Sequence, residues 1–272
     1  MSWTLVVIAA AGIASMKAAF ERGDIDEAGR QGALAGPAIV ETALASPDRA
    51  TRLAAIAAAP AVEDRAELLA ALATVAAGPD RRTAIPAAAA ARTIARELAR
   101  KGQVAEPPDD LAPEDLTGWR ATWAKLAADR ERWIELRVLA LDTATALAVD
   151  GAGLPLETTL DDPDPALRRA ALADLPTPVP AAARARLVKA IVSDADPLVA
   201  SAAGSVLCAD LASDPAPPVL EALGEPGLAR LRTLVSETAI GKPALRDLAR
   251  CLAADPAPAS GAALRVIKNR TR

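Results

Sequence analysis

Proline and glycine interrupt this chain so often that most segments between interruptions run roughly 9 to 20 residues, the ordinary length of a globular helix. The breaks fall at Gly36-Pro37, Ser46-Pro47, Ala59-Pro60, Gly78-Pro79, Pro107-Pro108, Gly151, Pro163, 176–180, Pro197, 215–218, 224–227, 241–243 and 256–258. Between them the apolar residues recur at helical spacing. Leu68, Leu69, Leu72, Val75 and Ala76 form one face, Leu187, Val188, Ile191 and Val192 a second, and Leu245, Leu248, Ala249 and Leu252 a third. Sustained period-two alternation is absent. Many short helices joined by short links give either a bundle or an α-solenoid, and internal repetition decides between them.

Composition sharpens the picture of the core. Hydrophobic residues make up 52% of the 272, yet aromatics only 2%, with no Tyr and one Phe. Much of the apolar share is Ala, which favours helix but buries little area. Such a core requires helices lying close together, with Leu, Val and Ile as the larger knobs.

The repetition is visible when three windows are superposed. They are Leu44-Ala-Ser-Pro-Asp48-Arg-Ala-Thr-Arg52-Leu-Ala-Ala, Leu160-Asp-Asp-Pro-Asp164-Pro-Ala-Leu-Arg168-Arg-Ala-Ala and Val192-Ser-Asp-Ala-Asp196-Pro-Leu-Val-Ala200-Ser-Ala-Ala. Each closes one helix on an apolar residue, turns on small or acidic residues, and places Asp where a helix N-cap belongs. Pro follows at the first helical position in two of them. Gly78-Pro79-Asp80 is a fourth, weaker copy. Pro47 to Pro79 and Pro163 to Ala195 are both 32 residues, the size of one helix-turn-helix unit.

The pattern D-P-x-[VL]-R-x-x-A-A, as in Asp164-Pro165-Ala166-Leu167-Arg168, resembles the start of the second helix of HEAT repeats, in particular the short bacterial kind related to phycobilin lyase repeats. The likeness covers about 36–101 and 154–212. The first window has Arg49 in place of Pro, and the third has Ala200 in place of Arg. The resemblance implies an all-α solenoid of HEAT-like antiparallel helical hairpins. Because such motifs are degenerate, it speaks to fold and not to function.

The expected organisation is therefore a signal peptide, short anchor or first helix over 1–20, HEAT-like hairpins over 21–101, a linker or loop over 102–113, a Trp-bearing helix or helix pair over 114–150, and further hairpins over 151–272. The apolar run from Thr4 to Met16 has the length of a secretory h-region, but no Lys or Arg precedes it and Ala14-Ser15-Met16 is a poor cleavage site. It is too short for a comfortable transmembrane helix. A buried first helix and a misplaced start codon are the competing readings, and a periplasmic or envelope location is slightly favoured over cytoplasm. Arg outnumbers Lys by 25 to 6, which with abundant Ala and Pro is the composition of a GC-rich bacterial genome.

Three candidate binding features stand out. Trp119 and Trp123 share a helix face, and Trp133 returns to nearly the same stripe if the helix is unbroken; exposed, this is a patch for a partner or glycan, and buried, it is core. Arg52, Arg168 and Arg82 would line one ridge of a solenoid, either to bind acidic ligands or DNA phosphate or to pair with Asp of their own or the next repeat. The basic tail Arg265 to Arg272 either touches an acidic surface or favours a helix C-terminus. The acidic turn Asp161-Asp162-Pro163-Asp164 reads as capping and not as a calcium loop, which needs more oxygen ligands and a Gly-bearing turn. Cys208 and Cys251 fit no metal spacing and bridge only if their helices are neighbours.

Much chemistry is excluded by residue type. Without His there is no Ser-His-Asp triad, His-ligated zinc or imidazole base. Neither glycine-rich phosphate loop occurs. A net charge of −4 disfavours a general nucleic-acid binder. The expectation is a non-catalytic protein-interaction scaffold without cofactor or metal, binding on the face formed by the second helices. The alternatives are a HEAT-like DNA glycosylase and a chromophore lyase or chaperone-like factor.

Overall fold

The computed structural model describes all residues except 1–2, 108–111, 149–158, 174, 176–177, 214–217 and 238–239, together with the side chains of 3–8 and Glu237. The expected breaks at Gly151, Pro176 and 215–217, and part of the 102–113 linker, lie outside the described residues. The described elements are helical, with short 3-10 turns and no strand among them. The chain forms two compact units, 1–154 and 155–272.

The first unit contains α1 (Trp3–Glu21), α2 (Ile25–Ala35), α3 (Pro37–Leu44), α4 (Arg49–Ala58), α5 (Leu68–Ala76), α6 (Arg81–Arg100), α7 (Pro113–Ala128) and α8 (Ile134–Ala146). Consecutive helices pair as hairpins, α1 with α2 through α7 with α8. Every other helix then packs in layers: α3 on α5 and α5 on α7 in one, α2 on α4, α4 on α6 and α6 on α8 in the other. This order of contacts is that of an α-solenoid. The apolar run of the N-terminus enters it as part of α1, whose Met16 and Ala19 are buried and which packs on α2 and α4.

The second unit contains α9 (Pro165–Ala173), α10 (Ala181–Ser193), α11 (Pro197–Ala209), α12 (Val219–Glu237), α13 (Lys242–Ala254) and α14 (Pro258–Thr271). Here α9, α11 and α13 form one layer and α10, α12 and α14 the other. The Gly224–Gly227 break is a kink inside α12, where Gly224 leaves helical geometry at φ 56°. Both units are all-α stacks of helical hairpins.

The repeated turn explains why the helices start where they do. Asp48 accepts the Thr51 N–H, Asp80 the Arg82 N–H, Asp164 the Ala166 N–H, and Asp196 the N–H groups of Leu198 and Val199. Each satisfies donors that a helix start leaves orphaned. The turn is braced from behind as well: Asp162 accepts the Asp164 N–H and Asp194 the Asp196 N–H.

The Arg four residues after the cap closes the same turn. Arg52 donates to the carbonyls of Ser46 and Pro47, and Arg168 to those of Asp162 and Pro163. These carbonyls hold identical positions relative to Asp48 and Asp164. The Asp-x-x-x-Arg spacing is thus a local clamp, the carboxylate taking N–H groups ahead and the guanidinium taking C=O groups behind.

Close helix approach is where the small residues matter. Gly32 of α2 faces Ala58 of α4 so closely that a Cβ on Gly32 would lie 2.5 Å from the Ala58 Cβ. Gly102 closes α6 at φ 75°, letting the Gln103 N–H reach the Leu98 carbonyl. Most residues of the helix faces expected from spacing are buried, but Val75, Val188 and Ala249 are half-buried, and Val192 is 43% exposed beside the core residues Leu187 and Ile191, so that face of α10 is narrower than its spacing suggested.

Candidate partner-binding groove

The tryptophans do not form one stripe. The helix carrying Trp119 and Trp123 stops at Ala128, where Asp129 turns extended and its carboxylate accepts the Glu131 N–H. Trp133 then stands at the N-cap of α8, half-buried and on a different element. The condition of an unbroken helix is not met. Trp123 is fully buried, and its indole N–H finds no acceptor among the described residues. Trp119, one turn earlier, is half-buried and forms a wall of a groove between α5 and α7.

The groove follows from residue size. The α5 face turned toward α7 carries Leu69 and Ala73, with Ala77 capping the helix end, and the α7 face carries Trp119, Thr122 and Leu126. Alanines opposite a Trp cannot fill the space between two helix axes, and about 830 Å³ is left open. The hydroxyls at its edge are already used, Thr74 donating to the Ala70 carbonyl and Thr122 to that of Gly118. What the groove offers is therefore apolar surface. At its rim Arg132 is tied to Asp129 and to the Gly78 carbonyl, while the exposed Lys125 has no ion-pair partner among the described residues.

The Arg series divides between the two units. Arg52 is spent on turn carbonyls. Arg168 adds to the same clamp a two-pronged pair with Asp194, at 2.9 and 2.8 Å, which raises the pKa of its guanidinium. Arg82 is exposed and has no ion-pair partner among the described residues. In the basic tail, Arg270 donates to the Val235 and Ile240 carbonyls, fixing α14 against the end of α12. A cavity of about 580 Å³ in the second unit is lined by Asp161, Arg168, Arg186, Lys189 and Asp194, and its cations pair with its own carboxylates.

Sequence reasoning left the pairing of Cys208 with Cys251 open and did not foresee the contacts of Asp210. Cys208 of α11 and Cys251 of α13 are neighbours in one layer, fully buried and disulfide-bonded, with Cα atoms 5.4 Å apart. Asp210, also fully buried, accepts from the Val179 N–H, Arg184 and the Ser213 hydroxyl. Little local signal marks either, because Val179 and Arg184 lie 31 and 26 residues from Asp210, with only Ser213 close by in sequence, and Cys251 lies 43 from Cys208.

The contacts of both units define the class: a helical repeat protein. No protein-family model matches the chain, and no curated protein matches it. Among solved structures it is similar to an engineered protein from the Northeast Structural Genomics Consortium at 17% identity, with 98% of this chain and 88% of that one covered and a TM-score of 0.35. A designed armadillo repeat protein is similar at 14% identity, with 99% and 91% covered and a TM-score of 0.30. Neither likeness bears weight at these scores; the class rests on the layered helix contacts.

Proposed function

We propose that this chain is a non-catalytic protein-interaction scaffold of HEAT-like repeat type. The observation that carries the reading is the open apolar groove between α5 and α7, walled by the half-buried Trp119 and edged by Lys125, which has no ion-pair partner among the described residues. Trp is enriched at binding hot spots because it combines large apolar area with few rotatable bonds. A bulky apolar side chain of a partner entering beside Trp119 would complete the packing that Ala73 and Ala77 leave unfinished. The buried Cys208–Cys251 bridge supports work in an oxidising compartment, since such bonds persist outside the cytosol in most organisms.

The test is affinity capture from the native host with a C-terminal tag and mild crosslinking, comparing the wild type with Trp119→Ala. A stoichiometric partner held by the wild type and reduced about tenfold or more in the variant is the expected result. Recovery of bait alone from both chains would overturn the scaffold reading.

A further inference from the structure

A second surface in the first unit lies on the other helix layer. Arg92, Arg96 and Arg100 recur at four-residue spacing along α6 and so share one face over about 12 Å. Arg92 and Arg96 both turn to a single carboxylate, Asp142 of α8, at 3.5 and 3.1 Å. Arg100 and Lys101 share Glu97 with Arg65, at 3.6, 3.3 and 2.7 Å. Five cations therefore divide two carboxylates, in a chain whose net charge is −4. The side chains of Arg96 and Arg100 are 54% and 73% exposed, so the excess charge faces solvent.

The same face is not uniformly charged. Toward the start of α6 it passes through Ile85, Pro86 and Ala89, all half-buried, and ends near the exposed Arg82, which has no ion-pair partner among the described residues. Val138 and Leu139 of the adjacent α8 are half-buried as well. Cations at one end, apolar side chains in the middle and a further cation at the other end complement a segment carrying both acidic and apolar residues. A phosphate backbone fits less well, because Asp142 and Glu97 sit among the cations and the apolar stretch gives phosphates no donor.

We propose that the solvent face of α6 docks an acidic, partly apolar protein segment through Arg92, Arg96 and Arg100. This rests on the reading of the first unit as a binding surface, but uses the layer of α6 and α8 and not the Trp119 groove. Charge complementarity of this kind acts chiefly through association rate and partner choice, and it weakens with salt.

The experiment is fluorescence anisotropy of the full chain with a fluorescein-labelled peptide of Glu-Glu-Leu repeats, at about 20 mM and about 300 mM salt. The wild type is expected to bind at low salt and to lose affinity about tenfold at high salt. R96E/R100E is expected to lose about tenfold or more at low salt with an unchanged helical melting curve. Should that variant fail to fold, R96Q/R100Q is expected to show a smaller loss in the same direction. Trp119→Ala is expected to bind like the wild type.

Absence of low-salt binding would overturn the proposal, as would a folded R96E/R100E or R96Q/R100Q that binds like the wild type. Tighter binding of a labelled DNA duplex would assign the face to nucleic acid instead, and loss of the peptide in Trp119→Ala would move it to the groove. If the peptide fails while Trp119-dependent capture persists, only the present inference falls and the scaffold reading stands.

Discussion

The two units use the same capped turn but are held together by different forces. In the first, three links between neighbouring elements lie at the surface, Lys17 to Asp48, Arg49 to Asp80 and Arg81 to Glu135, with carboxylates 47%, 30% and 50% exposed. Among its described cross-element pairs only Asp142, shared by Arg92 and Arg96, is as little as 12% exposed. In the second, Arg168 meets Asp194, Arg184 meets Asp210 and Arg232 meets Asp255, with carboxylates 9%, 0% and 7% exposed. The second unit also carries the disulfide, while both units bring helices close at a glycine, Gly32 against the Ala58 Cβ in the first and Gly204 against the flexible ends of Leu231 and Leu248 in the second. Exposed pairs contribute little and are screened, whereas breaking a buried pair leaves a charge without water or partner. The same repeat can therefore be salt-sensitive in one unit and insensitive in the other.

The sharpest way to separate the units is to open the bridge. Cys208 and Cys251 are 43 residues apart, and closing such a loop in the unfolded chain stabilises the folded state by about 4 kcal/mol on the chain-entropy estimate. Cys208→Ala/Cys251→Ala is expected to lower the unfolding free energy of the second unit by that order, read as a fall in its denaturant midpoint. Signals from Trp119, Trp123 and Trp133, all in the first unit, should keep their own transition. A Trp-detected transition that shifts equally would show that the units unfold together. Alkylation of the unreduced, unfolded chain followed by mass analysis should find no reactive thiol; two labelled cysteines would remove the bridge from the comparison.

Next in size is Asp210→Ala. The carboxylate is fully buried and holds the Val179 N–H, Arg184 and Ser213. Removing it strands a buried backbone donor and the guanidinium at once, at an expected cost of about 3 kcal/mol. High salt should not mask the loss, because the pair is shielded from solvent ions. Urea titrations of wild type and variant at low and high salt measure this directly, and a cost that vanishes with salt would contradict the burial argument.

Gly32→Ala tests the first unit's dependence on close packing. The added methyl would meet the Ala58 Cβ at 2.5 Å, and neither side chain has a rotamer with which to escape. The α2 and α4 backbones must part, an overpacking cost of about 1–3 kcal/mol that exceeds the helix-propensity gain of roughly 1 kcal/mol. Circular-dichroism melting is the measurement. A variant as stable as the wild type would show that the layer has slack.

What could be read from the sequence, and what could not, divides along the same physical line. Asp48, Asp80, Asp164 and Asp196 were legible as caps because a cap acts within three residues of itself. The two-layer helical architecture was legible because breaks and helical spacing are also local. Arg168 was foreseen as a ridge residue or an ion-pair partner, but the choice of Asp194 depends on how α9 meets the end of α10. The groove was half-legible: Trp119 was visible, while the alanines of α5 that leave it open are brought opposite only by the stacking. Trp133 left the stripe because the chain breaks after Ala128 without Pro or Gly, through an Asp129 turn that spacing alone does not reveal.

The smallest expected effect tests the surface ladder itself. Arg49→Ala removes one exposed link to Asp80 and should cost under about 1 kcal/mol at low salt and less at high salt. Acid probes the same ladder with a definite sign. Lys17 and Thr51 hold the Asp48 carboxyl well below the usual carboxylate range, and Arg65 lowers that of Glu97. A carboxyl whose folded pKa is depressed stabilises above its unfolded value, about 4, and loses that contribution as pH falls toward the folded value. Stability should therefore be flat from about pH 8 to pH 5, with no histidine to titrate in that window, and decline below about pH 4. Asp255 of the second unit, lowered by the Ser260 hydroxyl and by Arg232, declines over the same range, so acid alone does not distinguish the units. Salt does: at pH 7, raising it should lower the Trp-detected midpoint of the first unit more than the far-ultraviolet transition of the second. Equal shifts would mean that the exposed ladder carries no more of the first unit's stability than the buried pairs lose to screening in the second.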